Sequence, residues 1–518
     1  MSAKGGEQSV ATRDGRDGAL SKRRRSDGPQ RAEGNGDRGD GHDGFREECG
    51  VVGVMGRPDA AVLCALGLHS LQHRGQEAAG IVSFDGDHFN VERHLGLVGE
   101  NFGQDAQTLI NLPGDMAIGH VRYATTGGGT ILRNVQPLYA DLRQGGIAVA
   151  HNGNLTNSTT LRNSLVSRGA IFQSTSDTET ILHLIATSFA NSLTDRLSDA
   201  LSKVEGAYSL VCLSDDQLIG LRDPRGVRPL MIGRLGEAWI LASETCALDI
   251  MGATYVRAVE PGELVVLKKG TEPESRFPFA SRPSRFCVFE YVYFSRPDSV
   301  IDGKGVYGAR KAIGRELAAE SPVEADVVSP VPDSGVPAAV GYAQGAGLPF
   351  EFGIIRNHYV GRTFILPNDR SRQQGVRMKL NANPSVLRGK RVILVDDSIV
   401  RGTTSLKIVQ MVRDAGAREV HMRIASPPTI GACYYGVDTP ETDKLLAHNM
   451  TIEKMREHIN VDSLAFLSID ALYRAMGYPA RDNDAPQYCD ACFTRDYPIP
   501  LVDRDDGADT DQMSFLHN

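Results

Sequence analysis

The stretch RVILVDDSIVRGTTSLKIV, residues 391–409, constrains this chain more than any other. VILV is a short, wholly apolar run, suited to a strand buried on both faces of a parallel sheet. Asp396 and Asp397 follow at its carboxyl end, where open α/β sheets bind their ligands. Gly402 then sits in a loop, and Thr403 and Thr404 open a stretch with apolar residues at helical spacing. The first N–H groups of a helix lack partners within it, and the helix dipole favours an anion there. Such a site offers carboxylates for sugar hydroxyls or a metal, and N–H and hydroxyl donors for a phosphate. Taken alone, the same string would also serve as a plain turn and helix cap.

Its surroundings extend the pattern. ADVVSPVP leads to a helix near Val336, and REVHMRIAS follows the Thr403 helix, so strand and helix alternate as in a parallel α/β sheet. Ser334 lies in the loop after SPVP. Residues 353–381, GIIRNHYVGRTFILPNDRSRQQGVRMKLN, are polar and basic in a chain whose net charge is −8. They are expected to form a mobile lid in which Arg356, Arg362, Arg377 and Lys379 pair with phosphate oxygens.

The region from Cys49 to about Leu267 differs. GVVGVM, AAGIVSF, DMAIGHVRYAT, GGIAVAHNG, AYSLVCLS and ELVVLKK read as strands. LCALGLHSLQHRG and TETILHLIATSF carry helical spacing, which predicts sheets with helices packed on their faces. TEPESRFPFASRPSRF, rich in Pro, Ser and charge, reads as a domain crossing. The domains expected are thus 49–280, 281–480 and a C-terminal segment 481–518 with an acidic, loose tail. Residues 1–48 are rich in Gly, Asp and Arg and too poor in apolar residues to fold. They lack a secretory signal's apolar core, and their many acids do not suit a mitochondrial transit peptide. The net charge excludes a broad nucleic-acid-binding surface. No apolar run approaches a membrane span. The eight cysteines form no secreted-scaffold pattern, which places the chain in a reducing cytoplasm.

Why an unfolding leader should end against Cys49 has a chemical answer. A thiol with a pKa near 8.5 is only a few per cent thiolate at pH 7, so a base helps it. A lysine amine is about one part in two thousand neutral there, but an α-amine with a pKa of about 7.7–8.0 is roughly a tenth neutral. If the leader is removed, Cys49 carries nucleophile and base in one residue. In AVAHNGNL, the Asn152 side chain and the Gly153 N–H suit an oxyanion, although Asn-Gly also suits a hairpin turn. In HVRYATTG, Arg122 suits a substrate carboxylate. In STSDTET, Asp177 suits an α-ammonium, while Ser176 and Glu179 also spell a capping box.

The string at 391–409 resembles the PRPP-binding signature of the type I phosphoribosyltransferases. CGVVGV, LQHRGQEAAGI, GHVRYATTG, AHNGNL and SDTE, in that order, resemble the amino-terminal-nucleophile, or class II, glutamine amidotransferase domain. The two together resemble the glutamine phosphoribosylpyrophosphate amidotransferase family. That resemblance implies an αββα sandwich joined to a parallel α/β domain. It implies an enzyme that turns glutamine, PRPP and water into phosphoribosylamine, glutamate and pyrophosphate, the first committed step of purine synthesis. Ammonia would pass between two sites through a dry channel. The resemblance assigns Cys49, Asn152 and Gly153 to catalysis, and Arg122 and Asp177 to glutamine. It assigns Asp396, Asp397, Arg401, Gly402, Thr403, Thr404, Arg362, Arg377 and Lys379 to PRPP, and Ser334, Asp396 and Asp397 to Mg²⁺. It further implies feedback inhibition by purine nucleotides and a homotetramer.

QYCDACF supplies a C-x₂-C pair at Cys489 and Cys492, half a metal site. By resemblance the other ligands are Cys287 and Cys433. Four thiolates suit zinc or an iron–sulfur cluster equally on chemistry. The resemblance favours a 4Fe–4S cluster, found with the branch whose leader is cleaved. Cys64, Cys212 and Cys246 sit in apolar surroundings and are expected in the core. Two rivals share one half each. Another class II amidotransferase would lack VILVDDSIVRGTT, and a non-catalytic PRPP-sensing regulator would have no use for Cys49, Arg122, Asn152 and Asp177.

Overall fold

The computed structural model describes residues 49–103, 107–123, 131–143, 145–358 and 379–505. The leader, the tail beyond Asp505, and Arg362 and Arg377 lie outside the described residues.

Alternation along the first strand, β1 (Gly50–Met55), sorts its side chains between two cores. Val51 and Met55 enter one apolar cluster, and Val52 and Val54 another. β1 is the middle of a seven-stranded antiparallel sheet with β2 (Ala78–Phe84), β3 (Phe89–Leu95), β4 (Met116–Arg122), β9 (Met231–Leu235), β10 (Ala238–Ala242) and β11 (Thr254–Ala258), in the order β11-β9-β10-β1-β4-β2-β3. A second antiparallel sheet of six strands holds β5 (Leu138–Leu142), β6 (Gly145–Leu155), β7 (Gly206–Leu213), β8 (Leu218–Arg222), β12 (Leu264–Leu267) and β13 (Glu274–Arg276), in the order β13-β12-β8-β7-β6-β5. Between the sheets lie Val51, Met55, Ile118, Ala148, Ala150, Val211 and Leu241, all essentially water-free. Each large apolar side chain so buried contributes roughly 1.5–3 kcal/mol. The helix Ala60–Ser70 covers the outer face of the first sheet, and the helices Asp177–Thr187 and Leu193–Leu201 cover that of the second. This is the expected αββα sandwich, and Cys64, Cys212 and Cys246 are buried in it as anticipated.

The part read as a crossing is not all irregular, because Glu274–Arg276 adds an exposed edge strand to the second sheet. After it come β14 (Phe286–Cys287), β15 (Val300–Ile301) and β16 (Lys304–Gly305). The next unit carries a parallel sheet of β17 (Val327–Pro330), β20 (Arg391–Asp396), β21 (Glu419–Ile424) and β22 (Ser463–Phe466). β18 (Ile354–Arg356) and β19 (Leu380–Ala382) pair as an antiparallel ribbon at the two ends of the basic segment. β23 (Tyr488–Cys489) returns to pair with β14. Beyond it Val502–Asp505 forms a helical turn rather than loose tail. There Asp503 accepts hydrogen bonds from the Thr159 and Thr160 N–H groups at 2.7 and 3.0 Å, capping a helix of the sandwich.

One apolar cluster runs without a break from the sandwich (Val52, Leu68, Cys246) into the parallel unit (Phe289, Ile313, Tyr342, Tyr435). Within it lies a network of buried charges. Arg74 donates to Glu244 and, at 2.6 Å, to Glu290. Arg228 reaches Glu290 at 3.4 Å and gives its Nε–H to the Tyr435 carbonyl at 2.8 Å. All four side chains are at most 1% exposed. Burial alone would raise the Glu244 carboxyl, but Arg74 and His73 beside it outweigh that and hold it far below the usual carboxylate range.

Two consequences are measurable. Glu290→Ala takes a carboxylate from two buried guanidiniums, Arg74 and Arg228, and should cost about 3–5 kcal/mol, read as a fall in thermal midpoint, whereas Glu274→Ala on the exposed edge strand should change stability by under about 0.5 kcal/mol. Because the folded-state pKa of Glu244 is depressed, its contribution is present above the unfolded carboxyl value of about 4.3 and should be lost as pH falls below it.

Candidate functional site

The pleat decides which residues of the sandwich meet. Val51 pairs with His120 and Gly50 with Val121, so Cys49, one residue earlier, lies beside Arg122 at the end of the β1–β4 ladder. It shares the parity of Val51 and Met55, which face the second sheet. Across the gap, Asn152 on β6 shares the parity of Ala148 and Ala150, which face back. His120 ties the two sheets together there, with Nε2 at 3.1 Å from the His151 carbonyl oxygen. Cys49 is 9% exposed, and its thiol points to the Tyr123 carbonyl at 3.7 Å.

Polar atoms gather at this end without partners. Asn152 is 0% exposed, and neither its Nδ2 nor its Oδ1 has a hydrogen-bond partner among the described residues. Arg122 gives one Nη to the Asn134 carbonyl at 2.7 Å, and its Nε likewise lacks a partner there. A buried amide with nothing to bond costs about 1–3 kcal/mol. That cost makes sense if a ligand supplies the missing partners. The Asn-Gly pair is not a hairpin turn: Asn152 and Gly153 lie inside β6, in register with Ser209 and Tyr208 of β7.

Asp177 begins its helix behind β6. Its carboxylate accepts the Leu155 N–H at 3.0 Å and lies 3.6 Å from His151 Nδ1. Desolvation pushes its pKa up, but His151 and the N–H donors pull harder, and it stays below the ordinary range. Ser176 caps the helix through the Thr178 N–H, while Glu179 accepts from Gln173 and Ser174, so the capping box does not close on itself. Arg122 and Asp177 are both near enough to His120 to act on it, and burial first of all drives its pKa down to about 3. His120 is thus a neutral tie between the sheets, and His151 packs against Asp177 behind β6, roles the sequence signals only by their place in the quoted motifs.

In the parallel unit, Asp396 and Asp397 end β20 as predicted, and both are buried. The Asp397 N–H donates to Asp396 at 3.0 Å, Ser398 donates to Asp397 at 2.6 Å, and the Ser334 hydroxyl also bonds Asp397. Desolvation, and then the charge of Asp397, push the Asp396 carboxyl well above its ordinary value. Two adjoining buried carboxylates are chemically suited to a cation or a hydroxylated ligand. Arg310, unforeseen in the sequence, stands close enough to steady Asp397 while binding the carbonyls of Tyr291, Tyr293 and Ser295. Gly402 caps the helix Thr403–Asp414 with φ +81°, a left-handed conformation that favours glycine. Thr403 is exposed, and Arg401 and Thr404 are half-buried around the same turn. Of the residues expected to form a lid, Lys379 is exposed at the foot of β19, and Arg356 pairs with Asp333 at 2.5 Å.

Cys287, Cys433, Cys489 and Cys492 meet, which no spacing in the sequence required. Cys287 and Cys489 stand opposite each other in the β14–β23 pair. The Cys492 carbonyl accepts from Ile430 and Gly431 at 2.9 and 3.0 Å, drawing in the loop that carries Cys433. All four line one cavity with Arg228, Phe289, Tyr435, Val437 and Ala491. Four thiols around one cavity suit a zinc ion or an iron–sulfur cluster.

Comparison with known proteins agrees with this division. A glutamine amidotransferase domain model matches residues 122–249, and a phosphoribosyl transferase domain model matches residues 307–426. The amidophosphoribosyltransferase of Rhizobium etli is 56% identical over 479 residues, spanning 92% of this chain and 96% of that one. That of Bacillus subtilis is 50% identical over 459 residues, spanning 88% and 95%. A solved B. subtilis glutamine PRPP amidotransferase, complexed with ADP and GMP, superposes with a TM-score of 0.82 at 48% identity, covering 88% of this chain and 98% of that one. The match runs through both halves, so neither rival reading stands: the chain belongs to the amidophosphoribosyltransferases, glutamine amidotransferases that carry a phosphoribosyltransferase domain.

Proposed function

We propose that this chain converts glutamine, PRPP and water to 5-phosphoribosylamine, glutamate and pyrophosphate by passing ammonia from a cysteine site in the sandwich to the parallel unit. The observation that carries the reading is the Asn152 amide, fully buried and unpartnered among the described residues, on the strand face that looks toward Cys49. Once residues 1–48 are removed, the Cys49 thiol attacks the side-chain carbonyl of glutamine, and the new α-amine takes its proton. Asn152 Nδ2–H and the Gly153 N–H hold the oxyanion, Arg122 the substrate carboxylate and Asp177 its ammonium. Collapse returns the proton to the leaving nitrogen, frees ammonia and leaves a glutamyl thioester, which water cleaves to glutamate. Ammonia then displaces pyrophosphate from C1 of PRPP.

On the parallel unit, Arg401, Gly402, Thr403 and Thr404 cradle phosphate at the helix start, and Arg362, Arg377 and Lys379 pair with pyrophosphate oxygens. Asp396, Asp397 and Ser334 would hold Mg²⁺ together with substrate oxygens, where it would offset charge building on the departing pyrophosphate. Cys287, Cys433, Cys489 and Cys492 would hold a 4Fe–4S cluster, which would cross-link β14, β23 and the Cys433 loop. Purine nucleotides acting as feedback inhibitors, a homotetramer and a cytoplasmic setting belong to the same reading. No helix among the described residues is long and apolar enough to cross a membrane.

Two experiments test these assignments. Intact mass and iron analysis of anaerobically purified protein should find a chain starting at Cys49 with about four irons; full-length, iron-free and active protein would refute both the processing and the cluster. The raised Asp396 carboxyl means its ionisation opposes folding as pH rises above about 3.9, the unfolded value. Asp396→Asn should therefore raise the thermal midpoint of ligand-free protein at neutral pH while cutting phosphoribosylamine synthesis about 10²-fold or more. A lowered midpoint with synthesis intact would contradict the role given to the pair.

A further inference from the structure

We infer that the loop Cys433–Val437, which lies beyond the matched phosphoribosyltransferase region, is a positioning element of the glutaminase, and that Gly436 sets the oxyanion strand. The inference rests on assigning the oxyanion to Asn152 and Gly153.

Three contacts carry it. Gly436 stands backbone to backbone against Gly153: a Cβ on Gly436 would lie 2.9 Å from Gly153 Cα, 3.1 Å from its carbonyl carbon and 3.3 Å from its oxygen. The adjoining residue, Asn154, donates its Nδ2–H to the Tyr434 carbonyl at 3.0 Å. Arg228 fixes the Tyr435 carbonyl at 2.8 Å from within the buried charge network. The loop is itself anchored: the Tyr435 hydroxyl bonds the Ile499 carbonyl at 2.7 Å, and the Tyr435 N–H points to Cys433 Sγ at 3.4 Å.

On its other side Gly153 has no room to yield. Its φ is +146°, and a Cβ there would lie 2.0 Å from the Ala207 carbonyl oxygen. β6 is therefore clamped at this residue between β7 and the Cys433 loop. An oxyanion donor works only where the charge develops, and a shift of about 1 Å can cost some 10²-fold in rate. A methyl group at Gly436, where φ is +113°, can be housed only by moving the loop or moving Gly153.

The test uses Gly436→Ala in the full holoenzyme, with Asn152→Ala alongside. Synthesis is measured with glutamine and, separately, with ammonium salt, which bypasses the glutaminase. Gly436→Ala should lower glutamine-dependent kcat at least about tenfold, with glutamine KM and ammonia-dependent kcat within about twofold and iron content unchanged. A residue that merely supports folding, or serves the parallel unit, would lower both activities together; that result, or no loss at all, overturns the inference. Asn152→Ala separates the premises: if it leaves glutamine use intact, the oxyanion assignment fails; if it alone is impaired, only the buttress fails. Should Gly436→Ala not fold, Asn154→Ala removes the Tyr434 tie without adding bulk. It should show the same split to a smaller degree, and an unchanged glutamine rate would overturn the inference.

Discussion

The structure depends on a salt network buried where two catalytic halves meet. Arg74 and Arg228 come from the sandwich, and Glu290 from the segment leading into the parallel unit. Water cannot reach any of them. Such charges are costly to desolvate, and a pair of this kind is weak evidence for stability as such. It is strong evidence for geometry, because each guanidinium accepts only a few positions for its carboxylate. Two units joined by apolar contact alone could slide; joined this way, they hold one register.

That register is what two-site chemistry needs. Ammonia made between the sheets is a nucleophile only while unprotonated and out of bulk water. The residues that fix the seam also serve the sites on either side of it. Arg228 borders the four-thiol cavity and holds the Tyr435 carbonyl. Arg310 binds the carbonyls that follow Glu290 and lies near Asp397. The two ends of the reaction are thus built against one shared core.

The sequence made the local chemistry legible and left the seam hidden. Asp396 and Asp397 could be placed at a strand end because a parallel strand, its loop and its helix are contiguous in the chain. Cys49, Arg122 and Asn152 were readable as motifs, but only the pleat shows that their side chains share one inter-sheet space. Asn152–Gly153 illustrates the limit: the same dipeptide fits a turn or a strand interior, and pairing with β7 decides. Glu290 and Arg228 could not be found, since each is an ordinary charged residue whose partner lies on another element. The same holds for Cys287 and Cys433, brought to Cys489 and Cys492 by β14 pairing with β23 and by the Cys492 carbonyl. Gly436 gave no signal, because a close approach of two backbones leaves no trace in the composition.

If the seam is as tight as its buried charges imply, nitrogen released from glutamine never mixes with the solvent. The direct measurement is isotopic: ¹⁵N-amide glutamine, with unlabelled ammonium at a level that alone sustains half the glutamine-driven rate. The account predicts phosphoribosylamine carrying almost undiluted ¹⁵N. Label diluted in proportion to the bulk ammonia would mean that the two halves merely lie side by side.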